Sequence, residues 1–437
     1  MSSELPRRIG FWGGSAVMVG IILGSGIFRV PVSIAQLVGS PALILAFWVL
    51  GGILSLFGAF AFAELAAALP RSGGIYVYLN EGLGPRASFT FGWTYLLLLK
   101  PFAAAAVGIM FAEHLNELLG VQWNPPAVAC AMILVLTVIN VVTVRGSSAA
   151  AIAITGLKVL SLAAIVALGL VLGKGSAANF ATTSVGLPLW KAVVPVMYGV
   201  LWTYDGWADV SAVTGEVEEP GRTLPRILFA GTAATIVLYV AVNAVYCSLI
   251  PLSEMRDLKT VAPLVMERLI GSAGGRVVAA MVVVSTLGAS HAAILTGARV
   301  TWAQARDGLL FRFLGRVHPK FQTPDVSLWI QAALCCAAVV TIRNFKDLSE
   351  SYGFLMWIFY AGAAAAVLIL RRRRTDLERP YRCWGYPAVP IAFIVVSIVM
   401  TALYIVAEDW RKTLPWLGVL LLGIPAHALW DRIRAGR

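Results

Sequence analysis

Apolar runs long enough to cross a lipid bilayer recur from one end of this 437-residue chain to the other. A membrane-spanning helix needs about 20 such residues, and 59% of the chain is hydrophobic whereas only 13% is charged. In hydrocarbon every backbone N–H and C=O group must find a partner inside the protein, so each run predicts a helix. We therefore expect an all-α integral membrane protein with a single domain, residues 1–437, and no separate soluble domain. The twelve predicted spans are residues 9–38, 41–69, 84–117, 124–144, 149–173, 189–217, 223–251, 272–305, 322–342, 347–370, 386–407 and 411–431.

The basic residues orient these spans. The cytoplasmic flanks of membrane helices are enriched in Lys and Arg, and a cytoplasmic N-terminus places Arg7, Arg8 and the run 371–374 on that side. This bias predicts a multi-pass protein of the cell membrane with both termini in the cytoplasm. It also accounts for the net charge of +12 without a nucleic-acid partner.

Sequence signals for a cofactor, a metal or hydrolytic chemistry are missing. The five cysteines have no CxxC spacing, which predicts neither disulfides nor a metal site. No HExxH, GxSxG or Walker pattern occurs, so neither hydrolysis nor ATP use has support. We expect no cofactor and no enzymatic activity.

Two of the apolar runs are interrupted at matching places, by Gly-Ser-Gly at 24–26 in the first span and by Tyr-Asp-Gly at 204–206 in the sixth. A membrane helix unwinds only where its freed backbone groups face a cavity, a ligand or other protein groups. Paired interruptions therefore point to one transporter site built from both. Because the breaks are five spans apart, the second unit must be inverted in the membrane. We predict a five-plus-five inverted repeat, residues 9–173 and 189–370, followed by two further helices at 386–431.

The glycines of the first break suit a carboxylate. Gly24 and Gly26 leave the neighbouring backbone amides accessible, and a helix that begins near Ile27 adds partial positive charge. The alternative is that these small residues let two helices pack closely, which is common in membranes. A dinucleotide-binding fingerprint is excluded because Arg29 stands where its third glycine belongs and no strand precedes it.

The second break places an acid and three aromatic residues halfway along a helix. The freed carbonyl groups would hold an ammonium group, while Trp202 or Tyr204 would close over a side chain. Asp205 is a functional-site candidate because burying an acid in a membrane is costly. Three roles stay open for it: a cap for the helix that follows, direct contact with a cationic side chain, or transfer of a proton.

Other charged residues lie inside or near the ends of spans. Lys158, well inside the fifth span, would occupy the place that a bound cation takes in ion-driven transporters, between the first and eighth spans; alternatively its ammonium reaches the cytoplasmic face. Glu64 and Glu216 lie near cytoplasmic helix ends, where a gating ion pair and simple solvation both stay open. Lys100 and His291 are lone polar groups on helices, for which we expect a satisfied role in the core.

One connection, residues 252–271, is longer than most and contains a helix-like stretch at 262–270. It would lie outside the membrane over the site. A lid and a plain amphipathic connector are the two interpretations.

Six motifs follow one another along nearly the whole chain. They are GSGIF at 24–28, LPRSGGIYVYL at 69–79, YDGW at 204–207, GEVEEPGRTLPR at 215–226, ARDGLL at 305–310 and WGYPAVP at 384–390. On these motifs the chain resembles the amino acid–polyamine–organocation (APC) superfamily of transporters. Within it, the chain is similar to a prokaryotic relative of the L-type amino acid transporters.

The resemblance implies a LeuT-like fold with an amino acid held between the two breaks. The substrate carboxylate would lie on the amides of Ser25, Gly26 and Ile27. Its α-amine would lie on the carbonyls of Ile22, Trp202 and Asp205. The complete predicted substrate site is Ile22, Gly24, Ser25, Gly26, Ile27, Trp202, Tyr204, Asp205 and Gly206.

The resemblance also implies that Lys158 replaces sodium structurally and links the first span to Ser285 or its neighbours on the eighth. Transport would then be sodium-independent, and exchange of one amino acid for another would be usual. The predicted coupling or gating residues are Lys158, Ser285, Trp202 and Glu216.

Three residues and one connection depart from the pattern of relatives. Trp202 stands where eukaryotic relatives commonly have Phe, which would shrink the side-chain pocket and favour small substrates. Asp205 replaces the glycine of carriers of large neutral substrates and matches the aspartate of some that also carry cationic ones. His291 stands where many relatives have Asn. The stretch 115–129 lacks the Cys through which eukaryotic relatives join a glycoprotein, so we expect no disulfide-linked heavy subunit.

We therefore expect an alternating-access transporter of small neutral L-amino acids that works without sodium, as an exchanger or a facilitator. Its partners would be the amino acid substrate and membrane lipids. The alternatives are a proton-coupled symporter, in which Asp205 or Glu216 titrates, and a carrier that also accepts cationic amino acids.

Overall fold

The computed structural model describes residues 7–24, 26–142, 147–181 and 186–435. The predicted site residue Ser25 lies outside these residues. Within them the helices are α1 Phe11–Ile22, α2 Gly26–Leu37, α3 Pro41–Ala68, α4 Ile75–Leu83, α5 Pro85–Thr94, α6 Lys100–Leu119, α7 Pro125–Val142, α8 Ser147–Val171, α9 Ala178–Ala181, α10 Leu189–Tyr204, α11 Pro220–Leu249, α12 Leu252–Met255, α13 Ala262–Ile270, α14 Gly274–Arg306, α15 Asp325–Ile342, α16 Phe345–Arg373, α17 Ala388–Ala407 and α18 Trp410–Ala435. A π-helical turn at Tyr95–Leu99 joins α5 to α6, and two 3₁₀ elements lie at Trp207–Glu216 and Arg312–Gly315. We call Trp207–Glu216 the post-break segment.

Eleven helices in the described part of the chain are long and apolar enough to cross a membrane. They match eleven of the predicted spans, with α1 and α2 together forming the first of them. The predicted sixth span, residues 189–217, is not among them because α10 ends at Tyr204 and the post-break segment follows as a separate element. The chain is thus an all-helical, multi-pass membrane protein, as its apolar runs predict, whereas a count of twelve spans stays a prediction.

An aromatic cluster packs around the end of α10, next to the second break. α3 packs along α11, and α10 packs against α3. The rings of Trp48, Tyr204 and Tyr239 meet there with centroids 5.2 to 5.8 Å apart, and none of the three is more than 1% exposed. Each such ring pair contributes about 0.5 to 1.5 kcal/mol beyond the area it buries. The end of α10 is therefore held firmly on its α3 and α11 side.

The long helix α14 packs against α1, α6 and α8. Its middle is rich in small residues, among them Gly288, Ala289, Ala292 and Ala293. Small side chains let membrane helices approach closely. They also leave space in front of α14 where α1 is interrupted.

Two glutamates, Glu64 and Glu216, form ion pairs that join separate elements of the fold. Glu64, which is 2% exposed, pairs with Arg371 at 2.6 Å and with Arg379 at 3.5 Å. Glu216, at the end of the post-break segment, accepts from Arg299 of α14 at 2.5 and 3.2 Å. Both glutamates are therefore held in ion pairs and are not simply solvated.

The stretch Ala262–Ile270 forms α13, as predicted. α13 packs on α14, and the amide of Val261 just before it donates to the Phe28 carbonyl of α2 at 3.4 Å. The segment is thereby joined to the helix that begins at the first break. Its predicted role as a lid stays a prediction.

Candidate functional site

The first break separates α1 from α2 and leaves the carbonyl groups at the end of α1 to other partners. The amides of Leu23 and Gly24 donate back to Val19 and Ile22 at 2.8 and 2.7 Å. The hydroxyl of Tyr239 donates to the Ile22 carbonyl at 2.8 Å. The first amides of α2 have no acceptor within the helix and carry the partial positive charge of a helix N-terminus. This arrangement suits an anionic group at the start of α2.

Lys158 holds the end of α1 with its ammonium group. Nζ donates to the carbonyls of Gly20 at 2.7 Å and Leu23 at 3.1 Å, and the residue is 3% exposed. Ser285 of α14 donates to the same Leu23 carbonyl at 2.6 Å and more weakly to Gly24 at 3.3 Å. The ammonium thus lies between α1, α8 and α14 instead of reaching the membrane surface. A helix C-terminus carries partial negative charge, which favours a cation there.

The second break meets the first directly. α10 ends at Tyr204, and Gly206 has φ of +117°. A side chain at Gly206 would meet Ile21 at 2.6 Å and the backbone of Ile22 at 3.1 Å, so this position requires glycine both for its backbone angle and for its close approach. Gly26 likewise lies against the side chain of Thr203 in α10. The interrupted backbones are therefore in contact.

The carboxylate of Asp205 is held by two tyrosines of α16. Tyr352 and Tyr360 each donate to one of its oxygens at 2.5 Å. The cap residue of the post-break segment is Gly206, and it makes no side-chain capping bond. Capping is therefore not the role of Asp205 in this conformation. Trp202 packs edge-on against Tyr352, with ring centroids 5.2 Å apart.

A cavity lies where the breaks face α6 and α14, with about 60 Å³ open to the centre of a water-sized sphere. One water molecule needs about 10 to 15 Å³ of such volume, so the cavity has room for a few water-sized groups. Five predicted site residues contribute to its wall: Ile22, Gly24, Gly26, Trp202 and Asp205. The two breaks therefore border this cavity, and its role as a substrate site stays a prediction.

The remaining predicted residues within the described part of the chain do not line this cavity. Tyr204 belongs to the aromatic cluster and Gly206 contacts α1. Ile27 is 0% exposed. Lys158 and Ser285 bind behind the first break, and Glu216 pairs with Arg299.

Lys100 and Asp209 are cavity residues that the sequence analysis did not assign to the site. Nζ of Lys100, at the start of α6, lies 2.6 Å from Oδ1 of Asp209 in the post-break segment, and both side chains are almost buried. Thr296 of α14 donates to the same oxygen at 3.4 Å. A lysine and an aspartate each inside an apolar stretch are expected to seek each other, and that signal was available. Tyr352 and Tyr360 had no comparable signal.

Comparisons with known proteins cover the whole of this architecture. Residues 9–424 match the sequence profile of a family described as amino acid permease. The mouse b(0,+)-type amino acid transporter 1 is 31% identical over 447 aligned residues, covering 100% of this chain and 90% of that protein. The serine/threonine exchanger SteT of Bacillus subtilis is 29% identical, with coverages of 97% and 96%. The human cystine/glutamate transporter is also 29% identical, with coverages of 98% and 87%.

Proposed function

This chain belongs to the amino acid permease family, and from that premise we propose that it carries small neutral L-amino acids across the cell membrane without sodium, as an exchanger or a facilitator. The resemblance to the APC superfamily is confirmed, and the chain is a multi-pass amino acid transporter, not an enzyme. The names of its relatives include a serine/threonine exchanger, which agrees with exchange of small substrates. The sodium independence, the substrate size and the mode of transport are our proposals.

The proposed substrate lies across both breaks. Its carboxylate takes the amides at 25–27, where α2 begins. The Ile22 carbonyl already accepts from Tyr239 and from the amide of Gly24, which uses both of its lone pairs. The α-amine is therefore better placed on the carbonyls of Trp202 and Asp205, with Ile22 as a third neighbour.

The position of Lys158 is the observation on which the proposed sodium independence depends. Its ammonium, together with the hydroxyl of Ser285, occupies the carbonyl groups freed at the end of α1. Oxygen ligands of this kind are what a hard cation requires. A fixed ammonium there meets the electrostatic need that a bound sodium ion would otherwise meet.

The proposed preference for small substrates depends on Trp202 and the volume of the cavity. The indole is braced by Tyr352 and by Phe345, with ring centroids 5.2 and 5.9 Å away. A cavity with room for only a few water-sized groups would accommodate a short side chain more readily than a branched or aromatic one.

We also propose the LeuT-like inverted repeat, twelve spans, and both termini in the cytoplasm. α1–α2 and α10 with the post-break segment are each interrupted midway, and they lie five spans apart. The ion pairs of Glu64 and Glu216 would then lie on the cytoplasmic side and hold that side closed. Epitope tags at the two termini should be digested by external protease only after cells are permeabilised, and digestion in intact cells would contradict this orientation.

Uptake by purified protein tests the central proposal. In sodium-free liposomes, labelled alanine should enter by a saturable route, and unlabelled alanine inside should accelerate entry if the protein is an exchanger. Equal uptake with and without internal alanine would indicate a facilitator. An absolute requirement for sodium would refute the proposal. Activity of the chain alone in this assay would also support the proposed independence from a heavy subunit.

A proton-coupled symporter or a carrier of cationic substrates is the alternative, and only Asp205 favours it. Asp205 belongs to the cavity wall, whereas Glu216 is paired with Arg299 and does not. In the same liposomes, uptake that needs an imposed proton gradient would favour symport. Competition by arginine or lysine would favour the broader substrate range.

A further inference from the structure

The ion pair of Lys100 and Asp209 borders the cavity. Lys100 is 4% exposed, and its ammonium lies 5.3 Å above the ring of Tyr95 as well as 2.6 Å from Asp209. Lys100, Ala103, Ala104 and Val107 all line the cavity and occupy one face of α6. The two charged groups thus lie on the wall that also contains small apolar side chains.

Two polar groups on this wall retain unused hydrogen-bonding capacity. Oδ1 of Asp209 accepts from Lys100 and Thr296, whereas Oδ2 accepts no bond from any described residue. Ser290 on α14 lines the cavity, and its buried hydroxyl has no partner in the described structure. Most serines in membrane helices would donate to the preceding turn, and a buried polar atom without a partner calls for an explanation.

A purely structural role does not explain this arrangement well. A buried ion pair generally contributes little to stability compared with well-packed apolar groups, because desolvation offsets the attraction. A charge pair on the wall of a cavity therefore stabilises the packing of α6 against the post-break segment less than apolar side chains would. A ligand hydroxyl in the cavity would supply a hydrogen-bond partner to both Oδ2 of Asp209 and the hydroxyl of Ser290.

We propose that Lys100, Asp209 and Ser290 form a subsite for the hydroxyl group of a small hydroxy amino acid, so that serine and threonine are preferred over alanine and valine. This inference rests on the proposed function and specifies its substrate class. The substrate hydroxyl donates to Oδ2 of Asp209 and accepts from Ser290, while Lys100 holds the carboxylate of Asp209 in place. Sites built to bond a hydroxyl discriminate strongly against analogues that lack it, because their own polar groups are then left unpaired.

Serine with alanine, and threonine with valine, are matched ligand pairs for the test. Binding to the purified protein is measured by isothermal titration in sodium-free detergent solution, and transport by competition with labelled serine in liposomes. We expect serine to bind at least about tenfold more tightly than alanine. Ser290→Ala should lower that ratio by about three- to tenfold. The matched control is Ser55→Ala, because Ser55 is buried on α3 and bonds only to Gly51.

A double variant guards against misfolding. Asp209→Asn alone leaves a buried ammonium unpaired, whereas Lys100→Met with Asp209→Asn removes both charges. The double variant should elute as a monodisperse peak in size-exclusion chromatography. Its affinities for serine and alanine should be nearly equal.

The possible results separate the two proposals. Equal affinity of the wild-type protein for serine and alanine, or a ratio that Ser290→Ala and the double variant leave unchanged, would overturn the subsite while leaving sodium-free transport intact. Preferential binding of serine without sodium-free uptake would support the subsite and refute the proposed function.

Discussion

Lys158→Ala is the substitution that most directly tests the fixed-cation hypothesis. It removes two hydrogen bonds from a charged donor, to the carbonyls of Gly20 and Leu23, each worth about 1.5 to 3 kcal/mol. Their sum of about 3 to 6 kcal/mol is reduced by the desolvation cost that the ammonium no longer incurs. Leu23 keeps its bond from Ser285, whereas Gly20 loses the one from Lys158. We expect a net loss of about 3 kcal/mol from the transport-competent geometry of the break.

A loss of this size corresponds to about a 100-fold decrease in activity. The assay is initial uptake of labelled alanine into sodium-free liposomes, normalised to the amount of reconstituted protein. Ser285→Ala should cause a smaller decrease, because it removes one neutral donor and leaves the ammonium in place. Lys191→Ala is the control, because Lys191 is exposed at the start of α10 and contacts Trp190. Uptake by Lys158→Ala within a factor of about three of wild type would refute the reasoning.

Three further predictions concern the cavity and the ion pairs around it. Trp202→Ala should admit larger substrates, so that leucine or methionine competes with labelled alanine; unchanged selectivity would show that Trp202 does not limit the pocket. Asp205→Asn should abolish any competition by arginine, and competition that survives would exclude Asp205 as its determinant. Glu64→Gln should destabilise the protein by about 3 kcal/mol, because it removes the buried carboxylate that pairs with two partly buried guanidinium groups; this is measured as a lower unfolding midpoint in detergent. Arg374→Gln, at the exposed pair with Asp376, should change it by less than about 1 kcal/mol.

Local sequence patterns predicted eleven of the spans and the two breaks because both depend on neighbouring residues. Apolar runs of sufficient length must be helical in a membrane, and α13 was visible as a short amphipathic stretch. The cavity wall near the breaks followed from the same information.

Helical phase explains one residue that was misplaced. Trp202 and Tyr204 are two residues apart, which is about 200° around a helix of 3.6 residues per turn. Only one of the two side chains can therefore face the cavity. Trp202 lines it, whereas Tyr204 joins Trp48 and Tyr239 on the opposite side.

Contacts between side chains on distant helices could not be predicted from local sequence patterns. Asp205 and its partner Tyr352 are 147 positions apart, and Lys100 and Asp209 are 109 positions apart. Nothing in the sequence around either residue specifies which helix will lie opposite. Costly intramembrane charges identify candidates for pairing, but the three-dimensional packing decides the partner.

The anchoring of Lys158 has a thermodynamic consequence for the transport cycle. A side-chain ammonium cannot leave its site as a sodium ion does, so it cannot transfer energy from a sodium gradient to the substrate. If no proton gradient is coupled to the cycle either, a carrier of this design only brings the chemical potentials of its substrates into balance. Its net direction would then be set by whichever amino acid the cell accumulates by other means, and the same protein would import or export according to the composition of the two pools.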